Sequence, residues 1–283
     1  MTPGVRFVCD STNDLPPSYV EEHRLIVVPL KVIFGDEALV DGVDIDAPAF
    51  YERMRRETRN PTTSQPAPAE FEEAFRKAGA DGDSVVCTCM SSEMSGTWQS
   101  AMQAKEAVGD EIDVHVIDTR TVSLGHNNIL TAAIPKAEAG ASAQEVVDYI
   151  TDLMRRQRSV FTVATLEYLK RGGRIGGARA LLGSVLDIKP VLQVQDGRIE
   201  RYKQVRTSAK AVEMIAQELI SAVGESGRKA RACIGQADRA NDQQRLAEMI
   251  GPHCAVSPDL IWIGPIVGAH AGPGTLGMSF FLD

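Results

Sequence analysis

The segment Ser84–Thr97 reads SVVCTCMSSEMSGT and decides the fold class. Its first part, Ser84–Met90, is a short apolar run rich in β-branched residues, which is typical of a buried strand. A turn of serine and glycine follows, and a helix is expected to begin near Ser95 and to end at about Val108. A buried strand that leads through a short turn into a helix is the repeating unit of a parallel sheet.

The same alternation continues on both sides of this segment. Further strands are predicted at Val5–Cys9, Leu25–Phe34 and Asp113–Asp118. Helices are predicted from Pro16 to His23, at Ala47–Glu57 with Asp46 as the capping residue, around Phe71 and Phe75, at Leu124–Ala139 and at Ser142–Gln157. The order of strands and helices predicts a first domain, residues 1–157, with a largely parallel sheet and flanking helices.

The second half has a different pattern. Pro190–Gln195 and Arg198–Val205 are joined by Asp196-Gly197, a strong signal for a hairpin. Other elements are a strand at Val160–Ala164, one or two helical turns at Thr165–Lys170, a strand at Arg231–Gly235, and helices at Ala178–Val185, Ser208–Val223 and Asn241–Ile250. These patterns predict a second domain, residues 158–283, with a mixed sheet. The fold class is therefore α/β with two domains.

Composition excludes several classes of protein. The chain has 283 residues and a net charge of -8, whereas a nucleic-acid-binding protein needs a basic surface. No apolar run approaches the roughly 20 residues that span a bilayer, and Met1–Gly4 shows no signal peptide pattern. We therefore expect a cytoplasmic protein. The five cysteines lack the spacing of a metal site, so we expect no metal and no cofactor.

Three polar segments are candidates for binding an anion. They are Thr62–Pro66, read as a loop, Ser91–Thr97, and the glycine-rich run Gly268–Gly274 around His270. Ser95 follows a strand of the parallel sheet, where ligands gather. A helix that begins at Ser95 and Gly96 offers free N–H groups to a carboxylate or phosphate. The alternatives are an ordinary helix cap at Ser95, a linker at Thr62–Pro66 and a loop histidine at His270.

Enzymatic chemistry has less support. The sequence contains no G-x-S-x-G elbow and no Walker A motif, and the turn directly after the first strand is not a G-x-G-x-x-G. Ser95 and His270 together suit a serine-dependent esterase or acyl-transfer enzyme, but no acid completes a triad. Asp10-Ser11-Thr12, at the end of the first strand, is compatible with a metal, although capping the next turn is the simpler interpretation.

The chain resembles the DegV family of fatty acid-binding proteins, the lipid-carrying subunits of bacterial fatty acid kinase. The resemblance runs nearly from end to end and is carried by short blocks in a specific order. The blocks are Asp10–Thr12 with Asp14–Pro16, Val28–Leu30, Pro61–Pro66, Ser91-Ser92 with Ser95–Thr97, Leu166–Ile175, Lys189–Leu192 and His270–Gly274.

The resemblance implies a two-domain fold that encloses a long-chain fatty acid such as palmitate or oleate. It implies that Thr62 or Thr63, Ser95 and His270 hold the carboxylate, with help from the backbone of Gly96. It also implies a carrier that is not itself an enzyme and that presents its lipid to a separate kinase, which forms the acyl-phosphate. The segment Leu124–Asn128 is more polar than its counterpart in the family, which affects the expected shape of the tail channel.

Two further expectations concern charge. The basic residues Arg171 and Arg174 lie in a flexible stretch that is a candidate for docking the kinase, and the alternative is a solvated helix end. The carboxylate is expected to bind hydroxyl groups and a helix N-terminus without a permanent positive charge. A protonated His270 would add a charge-assisted bond.

Overall fold

The computed structural model describes residues 4–182 and 188–283. In the first half the strands are β1 (Val5–Asp10), β2 (Ile26–Val28), β3 (Lys31–Phe34), β4 (Glu37–Val40), β5 (Thr62–Ser64), β6 (Ser84–Cys89) and β7 (Val114–Asp118). The helices are α1 (Pro17–Glu22), α2 (Ala47–Arg56), α3 (Pro68–Ala78), α4 (Thr97–Val108), α5 (Leu124–Glu138) and α6 (Ala143–Arg156). One-turn 3₁₀ helices follow β1 at Ser11–Asn13 and α4 at Gly109–Glu111.

The first half contains the predicted parallel sheet. Its strand order is β2-β1-β6-β7, and every neighbouring pair is parallel. Alternating buried side chains such as Val8, Val86 and Cys87 fill both faces of the sheet, because helices cover both sides. A second, three-stranded antiparallel sheet in the order β4-β3-β5 lies beside it and was not predicted.

The second half contains a six-stranded mixed sheet. Its strands are β8 (Arg158–Thr162), β9 (Lys189–Gln195), β10 (Arg198–Val205), β11 (Ala230–Gln236), β12 (Asp259–Trp262) and β13 (Leu276–Leu282). The helices are α7 (Glu167–Arg171), α8 (Ser208–Ser226), α9 (Ala240–Ile250) and α10 (Pro265–Ala271), with 3₁₀ turns at Gly176–Leu181 and Gly251–His253. The order is β10-β9-β8-β13-β11-β12, and among these described strands β11 and β12 form the one parallel pair. This confirms the predicted mixed sheet and the hairpin at Asp196-Gly197.

Helix α5 joins the two halves. Its residues from Leu124 to Ile134 are all buried. On one side His126 Nε2 lies 2.8 Å from Thr88 Oγ1 in the parallel sheet. On the other side Asn128 Nδ2 donates to the Ser279 carbonyl of the mixed sheet at 3.5 Å. Polar side chains of this helix therefore form hydrogen bonds with both sheets. The predicted domain boundary at residue 157 stays a prediction.

Several local predictions were wrong. The run Leu25–Phe34 is two strands in different sheets, because Pro29 between them has no N–H to continue a ladder. Thr62–Ser64 is a strand, β5, and not a loop, since it pairs with β3. The run around His270 forms α10 in spite of its glycines. Strand β13 was missed, although it lies in the centre of the mixed sheet.

Two helix boundaries also differ from the prediction. Helix α4 begins at Thr97 with Gly96 as its capping residue, two residues later than expected. The predicted helix Ala178–Val185 is a 3₁₀ turn over Gly176–Leu181. Its remaining part, residues 183–185, lies outside the described residues.

The Asp41 carboxyl predicts a pH dependence of stability. Burial raises its pKa to about 7, which the hydrogen bond from Ser11 opposes, and the nearby Asp10 raises it further. Between pH of about 4 and 7 the folded protein keeps a proton that the unfolded chain has released. Stability should therefore fall as pH rises through this window, by up to about 4 kcal/mol. Urea unfolding at several pH values should show this slope, and the Asp41→Asn variant should lose the share that Asp41 contributes. An unchanged slope in that variant would contradict the assignment.

Candidate functional site

A largely apolar cavity lies between the two halves of the protein. It contains about 830 Å³ of space between atoms, counting its open mouth. Leu30, Met90 and Met94 line it from the first half. Phe161 and Ile266 are among the side chains that line it from the second half. The cavity therefore needs both halves to close.

Thr63 reaches the cavity because of its position on β5. It pairs with Val32 of β3, which is completely buried, and directly opposed residues in an antiparallel pair lie on the same face. Thr62 pairs with Ile33 on the opposite face, is exposed, and does not line the cavity. Of the two threonines that the sequence left open, the structure places only Thr63 at the cavity.

Ser95 lines the same cavity from the turn between β6 and α4. Its Oγ lies 2.8 Å from Thr97 Oγ1 and accepts the Thr97 N–H at 3.3 Å, so it helps to start the helix. Gly96 is not a wall residue of the cavity. A side chain at Gly96 would overlap Gln65, which donates to Ser100 Oγ at 3.2 Å. This close approach holds the Thr62–Pro66 segment against the Ser95 turn.

His270 completes the polar group from the second half. Its Nε2 lies 2.9 Å from Thr63 Oγ1, whereas its Nδ1 is buried and has no partner among the described residues. Gly172 makes room for the ring, because a Cβ there would overlap Nδ1. Burial, and then the positive charge of Arg174, lower the pKa of His270 to about 4. The imidazole is therefore neutral at pH 7, in contrast to the protonated form considered above.

Arg174 also lines the cavity, which the sequence did not indicate. Its Nε donates to the Met94 carbonyl at 3.0 Å, and its Nη1 donates to the Gly172 carbonyl at 2.7 Å. These bonds connect the loop after α7 to the turn that carries Ser95. A guanidinium therefore lies at the cavity wall, and the expectation of a head-group site without a permanent positive charge stays a prediction.

A second, outer pocket opens on the other side of the Thr63–His270 pair. It contains about 790 Å³ of space between atoms, and Thr63, Arg174 and His270 belong to both pockets. Thr62 and Arg171 line only the outer pocket. The Arg171 side chain is exposed, and its nearest acidic partner is Glu167 at 3.8 Å. The polar group thus lies between the apolar cavity and a pocket that has basic side chains in its wall.

The contacts of Ser95 and His270 differ from those of a serine nucleophile and its base. Ser95 is bonded to Thr97, and no described hydrogen bond joins it to His270. Within residues 4–182 and 188–283 no carboxylate contacts the free nitrogen of His270, so the orienting acid of a triad is missing there. In the same ranges no group of three or more His, Cys, Asp and Glu side chains suits a metal, and no helix is long and apolar enough to span a bilayer.

The fold and the cavity define a class of protein: a two-lobed α/β protein with an apolar cavity that contains a small polar group. Residues 5–283 match the DegV family of uncharacterised proteins, and the chain belongs to this family. A DegV domain-containing protein of Halalkalibacterium halodurans is 34% identical over 99% of both chains.

Solved structures of similar proteins share this fold. The DegV family protein of Thermus thermophilus, described by its fatty acid binding, has a TM-score of 0.93 and 33% identity and covers 99% of this chain and 100% of its own. A stearic acid-binding protein of Eubacterium ventriosum has a TM-score of 0.91 and 28% identity, with 98% of each chain covered. These similarities confirm the two-part α/β architecture and the resemblance seen in the sequence.

Proposed function

We propose that this protein binds one long-chain fatty acid, such as palmitate or oleate. The carboxylate lies between Thr63, Ser95 and His270, and the tail fills the apolar cavity. The main observation behind the proposal is that these three polar side chains, which come from distant parts of the chain, line one largely apolar cavity. The fatty acid-binding relatives in Thermus and Eubacterium support the same ligand class.

The energetics suit such a ligand. A carboxylate that enters a protein without partners loses its hydration at high cost. Two hydroxyl groups, the imidazole of His270 and the nearby Arg174 guanidinium replace that hydration. The tail then contributes about 0.8 kcal/mol for each buried CH₂, on the order of 10 kcal/mol for a long chain.

The protein acts as a carrier and not as an enzyme in this proposal. The carboxylate end of the lipid lies beside the outer pocket, because Thr63 and His270 belong to both spaces. A separate fatty acid kinase would reach the carboxylate there and transfer a phosphoryl group to it. Incubating the oleate-loaded protein with a fatty acid kinase catalytic subunit and labelled ATP tests this, and labelled acyl-phosphate is expected. No label above the reaction without carrier would reject the kinase partner.

Reversing the charge of Arg171 tests the docking surface. Arg171→Glu should reduce acyl-phosphate formation at least about tenfold, since a like charge at an interface costs several kcal/mol, and should leave oleate binding unchanged. Arg179→Glu is the matched control, because Arg179 is an exposed residue of the same basic stretch that does not line the outer pocket. Equal turnover in both variants would remove Arg171 from the docking surface.

The serine-dependent esterase remains the alternative. It has one supporting observation, the presence of Ser95 and His270 in the same cavity. Hydrolysis of p-nitrophenyl esters by the wild-type protein that disappears in Ser95→Ala would favour it over the carrier. We expect no such hydrolysis, since Ser95 and His270 each bond to a threonine instead of to one another.

A further inference from the structure

The segment Asp10–Asp14, which reads DSTND, lies outside the cavity yet contacts its walls. It leaves the end of β1 as a 3₁₀ turn and is not among the cavity-lining residues. Asp10 Oδ2 accepts the Met90 N–H at 2.6 Å, and Ser11 Oγ accepts the Leu30 N–H at 3.1 Å. Met90 and Leu30 both line the cavity. The segment therefore fixes the backbone of two wall positions in the first half.

Asp14 extends these contacts to the second half. The Ser123 hydroxyl donates to one of its carboxylate oxygens. The other oxygen lies against Gly264, where a Cβ would overlap it. Burial raises the pKa of Asp14 well above its ordinary value, while the hydrogen bonds from the Ser123 hydroxyl and the Gly264 N–H lower it. Asp14 thus connects the start of α5 to the residue that precedes α10.

Helix α10 carries His270, so its placement decides the geometry of the polar group. The helix begins immediately after Gly264 and reaches His270 in its last turn. A second contact from the first half, Tyr51 Oη to the Ile263 carbonyl at 2.9 Å, holds the same end of the helix. His270 must meet Thr63 across the junction of the two halves at 2.9 Å. A small shift of α10 would open this bond.

We propose that Asp14 is a positioning residue for the head-group site: by holding Gly264 and Ser123 together, it sets where α10 presents His270 to Thr63 and to a bound carboxylate. The inference rests on the proposed fatty acid site for its functional consequence. The placement of His270 in the ligand-free protein is a separate observable. The same contact explains why glycine occupies position 264, since a side chain there would push Asp14 away.

The test compares Asp14→Ala with Asp14→Asn. Asparagine has the shape of the acid and keeps an oxygen for Gly264 and a polar group for Ser123, whereas alanine keeps neither. Nitrogen-15 NMR of the His270 ring in the ligand-free protein reports its bond to Thr63, and titration with oleate reports affinity. Asp14→Ala should shift the His270 signals and weaken oleate binding at least about tenfold. Asp14→Asn should stay within about threefold of wild type.

Two further variants separate positioning from general stability. Thr207→Ala is the control, because Thr207 caps α8 through the Lys210 N–H at 3.2 Å and its loss should lower stability without moving His270. Gly264→Ala should reproduce the effects of Asp14→Ala. It takes the place of Asp14→Ala in the test if the Asp14→Ala variant does not fold. Unchanged His270 signals and oleate affinity in Asp14→Ala or Gly264→Ala would overturn the proposal.

The two proposals can fail separately. If the wild-type protein takes up no oleate, the proposed function fails. The His270 signals of the ligand-free variants still decide whether Asp14 positions α10. If the wild-type protein binds oleate and the Asp14 variants match it in both measurements, the positioning role fails and the fatty acid site stands.

Discussion

Replacing Thr63 with valine should weaken fatty acid binding by about 10- to 100-fold, because a hydrogen bond to a charged group contributes about 1.5–3 kcal/mol. Valine keeps the shape of threonine and its fit against the neighbouring strand, so the hydroxyl is the main loss. The change also removes the partner of His270 Nε2. Isothermal titration with oleate measures the effect directly.

The neighbouring threonine is the matched control for this prediction. Thr62→Val makes the same chemical change one residue away, on the exposed face of β5. It should bind oleate as the wild type does. Equal losses in the two variants, or a loss only in Thr62→Val, would show that the carboxylate does not bind where the cavity places it.

Replacing Ser95 with alanine should have a second large effect, a loss of about tenfold or more in oleate affinity. The reason is that Thr63 and Ser95 supply the two hydroxyl groups at the proposed head-group position, and this variant removes one of them. Helix α4 should persist, because Gly96 remains its capping residue and Ser95 lies outside the helix. Circular dichroism checks this point. If a kinase uses the bound carboxylate, acyl-phosphate formation should fall at least in parallel with affinity.

Ser92→Ala is the control for Ser95→Ala. Ser92 lies in the same turn, but its side chain bonds to Asp118 and does not line the cavity. Some loss of stability is expected in this variant, with little change in oleate affinity. If Ser92→Ala weakens binding as strongly as Ser95→Ala, the effect of both changes comes from the turn and not from contact with the ligand.

The predictable parts of the fold have strong local signals. Ser84–Cys89 is a continuous apolar strand, Asp196-Gly197 is a favoured hairpin turn, and Asp46 caps α2 through its side chain. Each signal resides within a few residues of the element that it predicts. Such elements could therefore be read before the structure was known.

The missed parts depend on contacts between distant residues. Thr62–Ser64 becomes a strand only because β3 lies beside it. Strand β13 pairs with β8 and β11 rather than with a sequence neighbour, so no hairpin signal marked it. His270 lies in a glycine-rich run that propensity assigns to a loop, but Tyr51 and the Asp14 carboxylate hold the helix from the other half.

The residues of the candidate site also divide into those with a local sequence signal and those that depend on contacts between distant residues. Thr63, Ser95 and His270 could be selected as polar residues near helix starts and strand ends, and the family resemblance connected them. The choice between Thr62 and Thr63 required the strand pairing of β5. The presence of Arg174 at the wall depends on its bond to the Met94 carbonyl, 80 positions away, which no sequence pattern indicates.

Native mass spectrometry of the purified protein tests the central claim most directly. After mild purification, or after incubation with oleate or palmitate, we expect a mass increase equal to one fatty acid per chain. Thr63→Val should reduce the occupied fraction, and Thr62→Val should not. A wild-type protein that retains no fatty acid from the cell and takes up none on incubation would contradict the account.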